Sequence, residues 1–185
     1  MSPTLTAERR PLPVAPRPFE AEVLGGWIGR LASRYRMTVK EFAERHGLDL
    51  NIEDRGGWLT MPALGDQAAD ALAALARISR EQIMLIHAPL PSTSKRTRFC
   101  YCARCVFLNP LDVAAPIWRW EWLDEPLSAC PVHDEGFMSL PSGRVLACGN
   151  LTHLMQLVSR NERYLRCGTY SSRASVVRWA ASGVC

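Results

Sequence analysis

Apolar positions along the first half of the chain recur at intervals of three and four. In "EAEVLGGWIGRLASRY", Val23, Leu24, Trp27, Ile28 and Leu31 fall on one stripe of a helix. Gly25, Gly26 and Gly29 weaken that helix in isolation and leave room for a neighbouring segment to come close. A second helix is predicted in "MTVKEFAERHG". Thr38 and Glu41 have capping-box spacing, Val39, Phe42 and Ala43 face inward, and Gly47 stops it. Two helices and a short turn make a helix-turn-helix silhouette. The design returns in "DQAADALAALARISREQIMLIHAP". Asp66 is placed to cap its first helix, Ser79 and Gln82 form another capping box, and Pro89 closes the segment. Residues 20–88 thus read as four helices in two pairs.

The period is then lost. "LPSTSKRTR" is a polar, basic linker, and residues 99–148 are irregular, rich in Cys, Pro and aromatics. "PIWRWEWL" fits two periods: Trp118, Trp120 and Trp122 alternate as in a strand, while Trp118 and Trp122 also share a helix face. After Gly149, Leu151, Leu154, Met155 and Val158 stripe another helix, and "SSRASVVRWAAS" predicts a last one with a serine cap. The expected fold is mainly α, with a helix-turn-helix N-terminal domain, a small zinc-finger lobe and C-terminal helices. Its boundaries are a Pro-rich extended segment at 1–19, the helical domain at 20–90, the finger region at 97–149 and the last helices at 150–185.

Hydrophobic residues make up 48% and charged residues 22% of the 185, an ordinary globular balance. No apolar run reaches membrane-spanning length. Prolines interrupt the first twenty residues, which lack the apolar stretch of a signal peptide. The expected compartment is therefore cytoplasmic, where clustered cysteines more often hold metal than pair with each other.

The formal net charge of +4 is unevenly placed: residues 90–185 hold half of the 22 Lys and Arg but only seven of the 18 Asp and Glu. That bias permits a nucleic-acid neighbour, with Lys95, Arg96, Arg98 and Arg104 as candidate contacts. The helix pairs fit such a role less well. The second helix of the first pair exposes Lys40, Glu41, Glu44 and Arg45, which nearly cancel, and that of the other exposes Arg80, Glu81 and Gln82. Acidic groups there repel phosphate, so protein docking is favoured over major-groove reading.

Cys102 and Cys105 form C-x-x-C in "FCYCARC", and Cys130 and His133 form C-x-x-H in "SACPVHDEG". Two such knuckles supply the four donors of a closed tetrahedral zinc site. A redox pair would need a preceding strand and a βαβ context, and none is expected. A Cys130–His133 dyad is disfavoured because residues three apart in a knuckle share a metal. Cys100 is expected as a free thiol. Cys148, Cys167 and Cys185 with His153 are too irregular for a second site, and His46 and His87 read as capping or surface residues. No P-loop, dinucleotide motif or acid–base set is present, so no enzyme is expected.

The order of these motifs resembles the TniQ family. A proline-bearing opening precedes a W-x-x-R-L-A core, here Trp27, Arg30, Leu31 and Ala32; "CARC", "WRWEW" and "CPVH" then follow in the family's order. The similarity runs from residue 10 to about residue 140. The resemblance implies a helical helix-turn-helix protein with zinc fingers. Cys102, Cys105, Cys130 and His133 match the first finger and would hold one structural zinc. It also implies a non-enzymatic transposition accessory protein acting in target selection. Such a protein links a target-recognition complex, including an RNA-guided CRISPR effector with its guide RNA, to the transposon's AAA+ ATPase and transposase. Where many relatives carry a second C-x-x-C-G knuckle, this chain reads "VLACG", with Val145 at the first cysteine position. The short length favours the adaptor-type members. The alternative is a regulator or target-site reader that binds DNA itself, and a homodimer stays open.

Overall fold

The computed structural model describes residues 10–50, 52, 57–60, 64–86, 97–107, 117–123 and 128–169, the last seven as backbone only. Among them are seven α-helices and one two-stranded sheet, so the protein is mainly helical. Helix α1 spans Leu24–Arg34 and buries the whole predicted stripe, with Trp27, Ile28 and Leu31 fully enclosed. Four residues after its end, Thr38 opens α2 (Val39–His46) with the predicted box: its hydroxyl accepts the Glu41 N–H at 3.1 Å while the Glu41 carboxylate accepts the Thr38 N–H at 2.7 Å. Gly47 ends α2 at φ 59°, where a side chain would be strained.

Helices α3 (Asp66–Ala76) and α4 (Arg80–Ile86) form the second pair. The Ser79–Gln82 box is present, with bonds of 3.2 and 3.3 Å. Asp66 is not the cap. Gly65 occupies that position, and Asp66 sits in the first turn with its carboxylate on Arg80, which also binds Asp70. An opposite charge reachable on α4 outcompetes the local backbone donors.

The described part of the Pro-rich segment is extended and tied down. Leu12 is buried and donates its N–H to Leu75 O at 2.8 Å, and Tyr35 Oη donates to Val14 O at 2.6 Å. The indole of Trp27 donates to Pro16 O at 2.8 Å, and Arg30 donates to Arg17 O at 2.7 Å. The W-x-x-R pair of α1 therefore holds the segment that precedes it.

The region expected to be irregular contains a two-stranded antiparallel sheet. Strand β1 (Arg98–Tyr101) pairs antiparallel with β2 (Met138–Pro141), in register from Arg98↔Pro141 to Tyr101↔Met138. A strand does precede the C-x-x-C, against expectation. Phe99, Cys100 and Tyr101 are all buried, so its four residues carry no alternation to read. Short helices α5 (Ala103–Phe107) and α6 (Ser142–Leu146) follow the two strands.

The tryptophan run is neither strand nor α-helix. Trp120–Leu123 form a 3-10 turn, and Trp118 and Trp122 meet edge to face at 5.5 Å. Non-local bonds set this shape: the Val23 N–H donates to Trp118 O at 2.8 Å and the Trp120 N–H to Ala21 O at 2.9 Å. Helix α7 (Leu151–Thr169) buries Leu151, Leu154 and Val158 of its predicted stripe, with Met155 partly covered. The predicted helix at 171–182 lies outside the described residues, as do His87, Pro89, Cys185 and most of the basic linker.

One apolar cluster runs from Leu12 through all these elements to Val158. Two glycines of α1 make its tightest passage. A Cβ on Gly25 would lie 2.1 Å from the carbonyl oxygen of Trp58, and one on Gly29 2.5 Å from the Trp58 ring. The Trp58 indole donates onward to Cys148 O.

Candidate metal centre

Strand β1 delivers Cys102 at its end, and the first turn of α5 folds Cys105 back over it, its N–H donating to Cys102 Sγ at 3.5 Å. The second knuckle is a tight hairpin. Cys130 donates its N–H to Glu135 O and accepts the Asp134 N–H at its own carbonyl, both at 2.8 Å, and Ala129 bridges Gly136. Pro131 lies in the turn and Asp134 takes a left-handed φ of 50°.

The knuckles face each other, and one donor atom from each of Cys102, Cys105, Cys130 and His133 lies within 4.8 Å of all the others. Nδ1 of His133 is 3.5, 3.3 and 3.8 Å from the sulfurs of Cys102, Cys105 and Cys130, and the sulfurs of Cys105 and Cys130 are 3.6 Å apart. A tetrahedral ion with metal–sulfur bonds of ~2.3 Å and a metal–nitrogen bond of ~2.0 Å separates its donors by about 3.8 Å (S–S) and about 3.6 Å (S–N). The observed edges fit that solid, so the cluster could hold a metal ion without rearrangement.

The thiols are prepared unequally. Burial pushes Cys102 and Cys105 up, and neighbouring sulfurs add to the rise at Cys105. Burial also acts to raise Cys130, but the N–H groups of Val132 and His133, with the other two thiols, hold it below its ordinary value. Cys130 is thus the easiest of the three to ionise, and an arriving cation must displace the protons of the other two. The four donors converge on one point. Cys102, Cys105 and Cys130 are free of disulfides, and Cys130 is the sulfur farthest from the imidazole, unlike a nucleophile poised beside its base.

One ion pair spans the two knuckles and another lies within the tryptophan run. Arg104, inside the first knuckle, meets Glu135 of the second at 3.3 Å with about half of each side chain exposed. Arg119 forms a fork with Glu121, both bonds 3.0 Å. Of the nucleic-acid candidates, Arg98 is exposed and donates to the hydroxyl and carbonyl of Ser139. Arg104 is the paired residue just described, and Lys95 and Arg96 lie outside the described residues.

The other cysteine and histidine positions do not join a second cluster among the described residues. Val145 is buried in the core, and Cys148 donates its thiol to Arg144 O at 3.3 Å. His153 donates its backbone N–H to the Asn150 side chain at the start of α7, and the His46 ring lies tilted against Phe42 at 4.7 Å. Cys100, expected as a free thiol, is in a disulfide. Its pairing depends on chain proximity that spacing along the sequence does not encode.

The TniQ family model matches residues 13–135, two thirds of the chain, from the tied-down N-terminal segment through both knuckles. The chain belongs to the TniQ family. No curated protein matches it. TniQ membership makes it a transposition-associated protein. The TniQ motif Trp27–Arg30 also shows what sequence reasoning missed. Arg30 is buried against Glu22, Nε to Oε1 and Nη2 to Oε2 both at 2.7 Å, while Arg30 lies 4.7 Å over the Phe19 ring. Glu22 carried no signal beyond being an acid just ahead of an apolar stripe.

Proposed function

We propose that this TniQ protein is a non-enzymatic adaptor in transposition. It joins a target-recognition complex, an RNA-guided effector among the candidates, to the AAA+ ATPase that directs the transposase. The observation that carries the adaptor role is the outward surface of the helix pairs. On α2, Lys40, Glu41, Glu44 and Arg45 are all exposed with both signs interleaved, and on α4 Arg80 is engaged by Asp66 and Asp70 beside exposed Glu81. If the pairs act as helix-turn-helix units, their second helices suit a protein surface better than a phosphate backbone. The cluster of three cysteines and one histidine is read as one structural zinc, because soft thiolates in a closed tetrahedron select that ion. The site of action on this reading is the cytoplasm, at the nucleoid.

Nuclease-treated affinity purification from the native host, followed by mass spectrometry, tests the adaptor role. Recovery of an AAA+ ATPase, a transposase or an RNA-guided effector supports it. Recovery of the protein alone, with tight sequence-specific DNA binding by the isolated chain, overturns it. Direct DNA contact is the second reading, favoured by exposed Arg98 at the start of β1. It predicts a steep fall of affinity with salt, read by gel shift.

A further inference from the structure

The turns inside the two helix pairs are built alike. After α1, the Arg36 and Met37 N–H groups donate to Ser33 O and Ala32 O, both at 3.0 Å. After α3, those of Arg77 and Ile78 donate to Ala74 O at 3.4 Å and Ala73 O at 3.1 Å. Arg36 and Arg77 thus hold the same left-handed position, at φ 56° and 53°, where glycine is the usual residue. Both side chains are exposed, and neither forms an ion pair that would offset the strain. An arginine placed twice in a conformation that favours glycine points to a partner outside the molecule.

We propose that these two arginines, with Arg10, Arg17 and Arg34, form a surface that holds the phosphate backbone of duplex DNA without reading its sequence. The Pro-rich segment joins the two turns. Val14 exchanges bonds of 3.1 and 2.6 Å with the hydroxyl of Tyr35, the residue between Arg34 and Arg36. Three residues later, Arg17 donates through Nη1 to Arg77 O at 3.2 Å. Three residues of extended chain span about 10 Å, so both turns reach neighbouring phosphates of one duplex, whose charges recur every ~1.7 Å of axis. The bond from Leu12 to Leu75 fixes the segment further out, two residues after Arg10. All five arginines are exposed, and none is in an ion pair among the described residues. Residues 10–19, 33–40 and 71–80, which carry them, contain no Asp or Glu. On α2 and α4, by contrast, acids stand beside Lys40, Arg45 and Arg80. A duplex fits better than a single strand, because the rings here are engaged: the Tyr35 hydroxyl bonds Val14, and Phe19 lies under Arg30. No bare aromatic is left for an unpaired base to stack on. This surface goes beyond the adaptor reading and involves neither Arg98 nor Arg104.

The test uses the full chain, purified with zinc, and a short fluorescent DNA duplex of arbitrary sequence, with binding followed by anisotropy across a salt series. Arg36→Gly/Arg77→Gly removes both charges and installs the residue the backbone prefers. It should melt close to wild type in urea, yet bind roughly tenfold more weakly at about 50 mM salt, with a log–log salt slope shallower by about 2. Arg36→Lys/Arg77→Lys keeps the charge and should keep most of the affinity. Arg144→Gln/Arg160→Gln removes two exposed charges elsewhere and should bind as wild type does. Should the glycines disturb the turns, seen by circular dichroism, Arg36→Gln/Arg77→Gln repeats the charge removal. A folded neutral variant that binds like wild type overturns the proposal. An equal loss in the Arg144/Arg160 variant also overturns it, because bulk charge then explains the binding. So does a loss carried by Arg98→Gln instead, tighter binding to an RNA duplex of the same sequence, or a wild-type chain that does not bind the DNA. None of these results touches partner capture, so the adaptor reading stands or falls separately in the purification.

Discussion

Breaking the Glu22–Arg30 pair should unfold the protein more readily than any surface change. Both side chains are essentially inaccessible, 1% for Arg30 and 0% for Glu22, and two 2.7 Å bonds join them. The guanidinium also donates to Arg17 O, and Glu22 accepts the Phe19 N–H at 3.1 Å, so residues 17–22 hang on this pair. Removing one partner strands the other charge out of water, at a cost of roughly 3–5 kcal/mol. Against a typical total of about 5–15 kcal/mol this is a large fraction. At roughly 2–4 °C per kcal/mol for a chain of this size, melting should fall by about 10 °C. Arg30→Met, Glu22→Gln and the double variant would be melted by urea at neutral pH. The double should be less destabilised than the sum of the singles, because neither charge is then left alone. The Arg30→Met variant adds a sign. A buried Glu22 carboxyl that has lost its guanidinium has a folded pKa above its unfolded one, so its penalty is absent in acid and grows as pH rises. That variant should therefore come closest to wild type at the lowest pH where wild type still folds. Single variants within about 1 kcal/mol of wild type, or strict additivity, would refute the reasoning.

Gly25→Ala places a methyl on the backbone oxygens of Trp58 and Leu59, which no rotamer change relieves. A loss of roughly 3 kcal/mol or more is expected in denaturant melts, whereas Gly143→Ala, with open space around it, should be neutral or slightly stabilising. Thr38→Ala removes the α2 cap at a cost of roughly 1 kcal/mol. The backbone and hydroxyl of Thr38 hold the Glu41 carboxyl below its usual range. Its contribution is therefore present above the ordinary carboxylate pKa and lost as pH falls through the lowered one, so Glu41→Gln should matter at pH 7 and not in strong acid. Stripping the metal with a chelator, or Cys105→Ser, should lower the melting temperature and the zinc content together. A melting curve unmoved by loss of zinc would sink the structural role.

What the sequence made legible were features written locally. The α1 stripe, both capping boxes, the Gly47 stop and the two knuckles each lie within a few residues, and each is present. What it concealed was written across distance. The 3-10 turn at Trp120 depends on backbone bonds to Ala21 and Val23, almost a hundred residues away. The β1–β2 pairing joins residues about forty apart, and the reassignment of Asp66 depends on Arg80 on another helix. Gly25 and Gly29 stood in the sequence as interruptions of a helix. Only the arrival of Trp58 against them explains why no larger residue fits.

The motifs that identify the family are joined in the fold. Trp27 and Arg30 hold the proline-bearing segment, and Arg30 grips Glu22. The backbone beside Glu22 bonds to the segment around Trp118 and Arg119. Trp118 in turn lies against Tyr101, the last residue before the metal cluster. W-x-x-R, the tryptophan run and the C-x-x-C knuckle are therefore successive links of one physical chain, which ties the helical part to the lobe that carries the cysteine–histidine cluster. It follows that changes inside this chain should act through stability. Partner choice should instead lie in positions the chain leaves outside, such as Lys40 and Glu44 on α2 and Met84 and Leu85 on α4, where Leu85 is 82% exposed. Replacing Leu85 by Glu should leave melting unchanged and weaken capture of the partner in the purification described above. Loss of stability without loss of the partner would place the binding surface elsewhere.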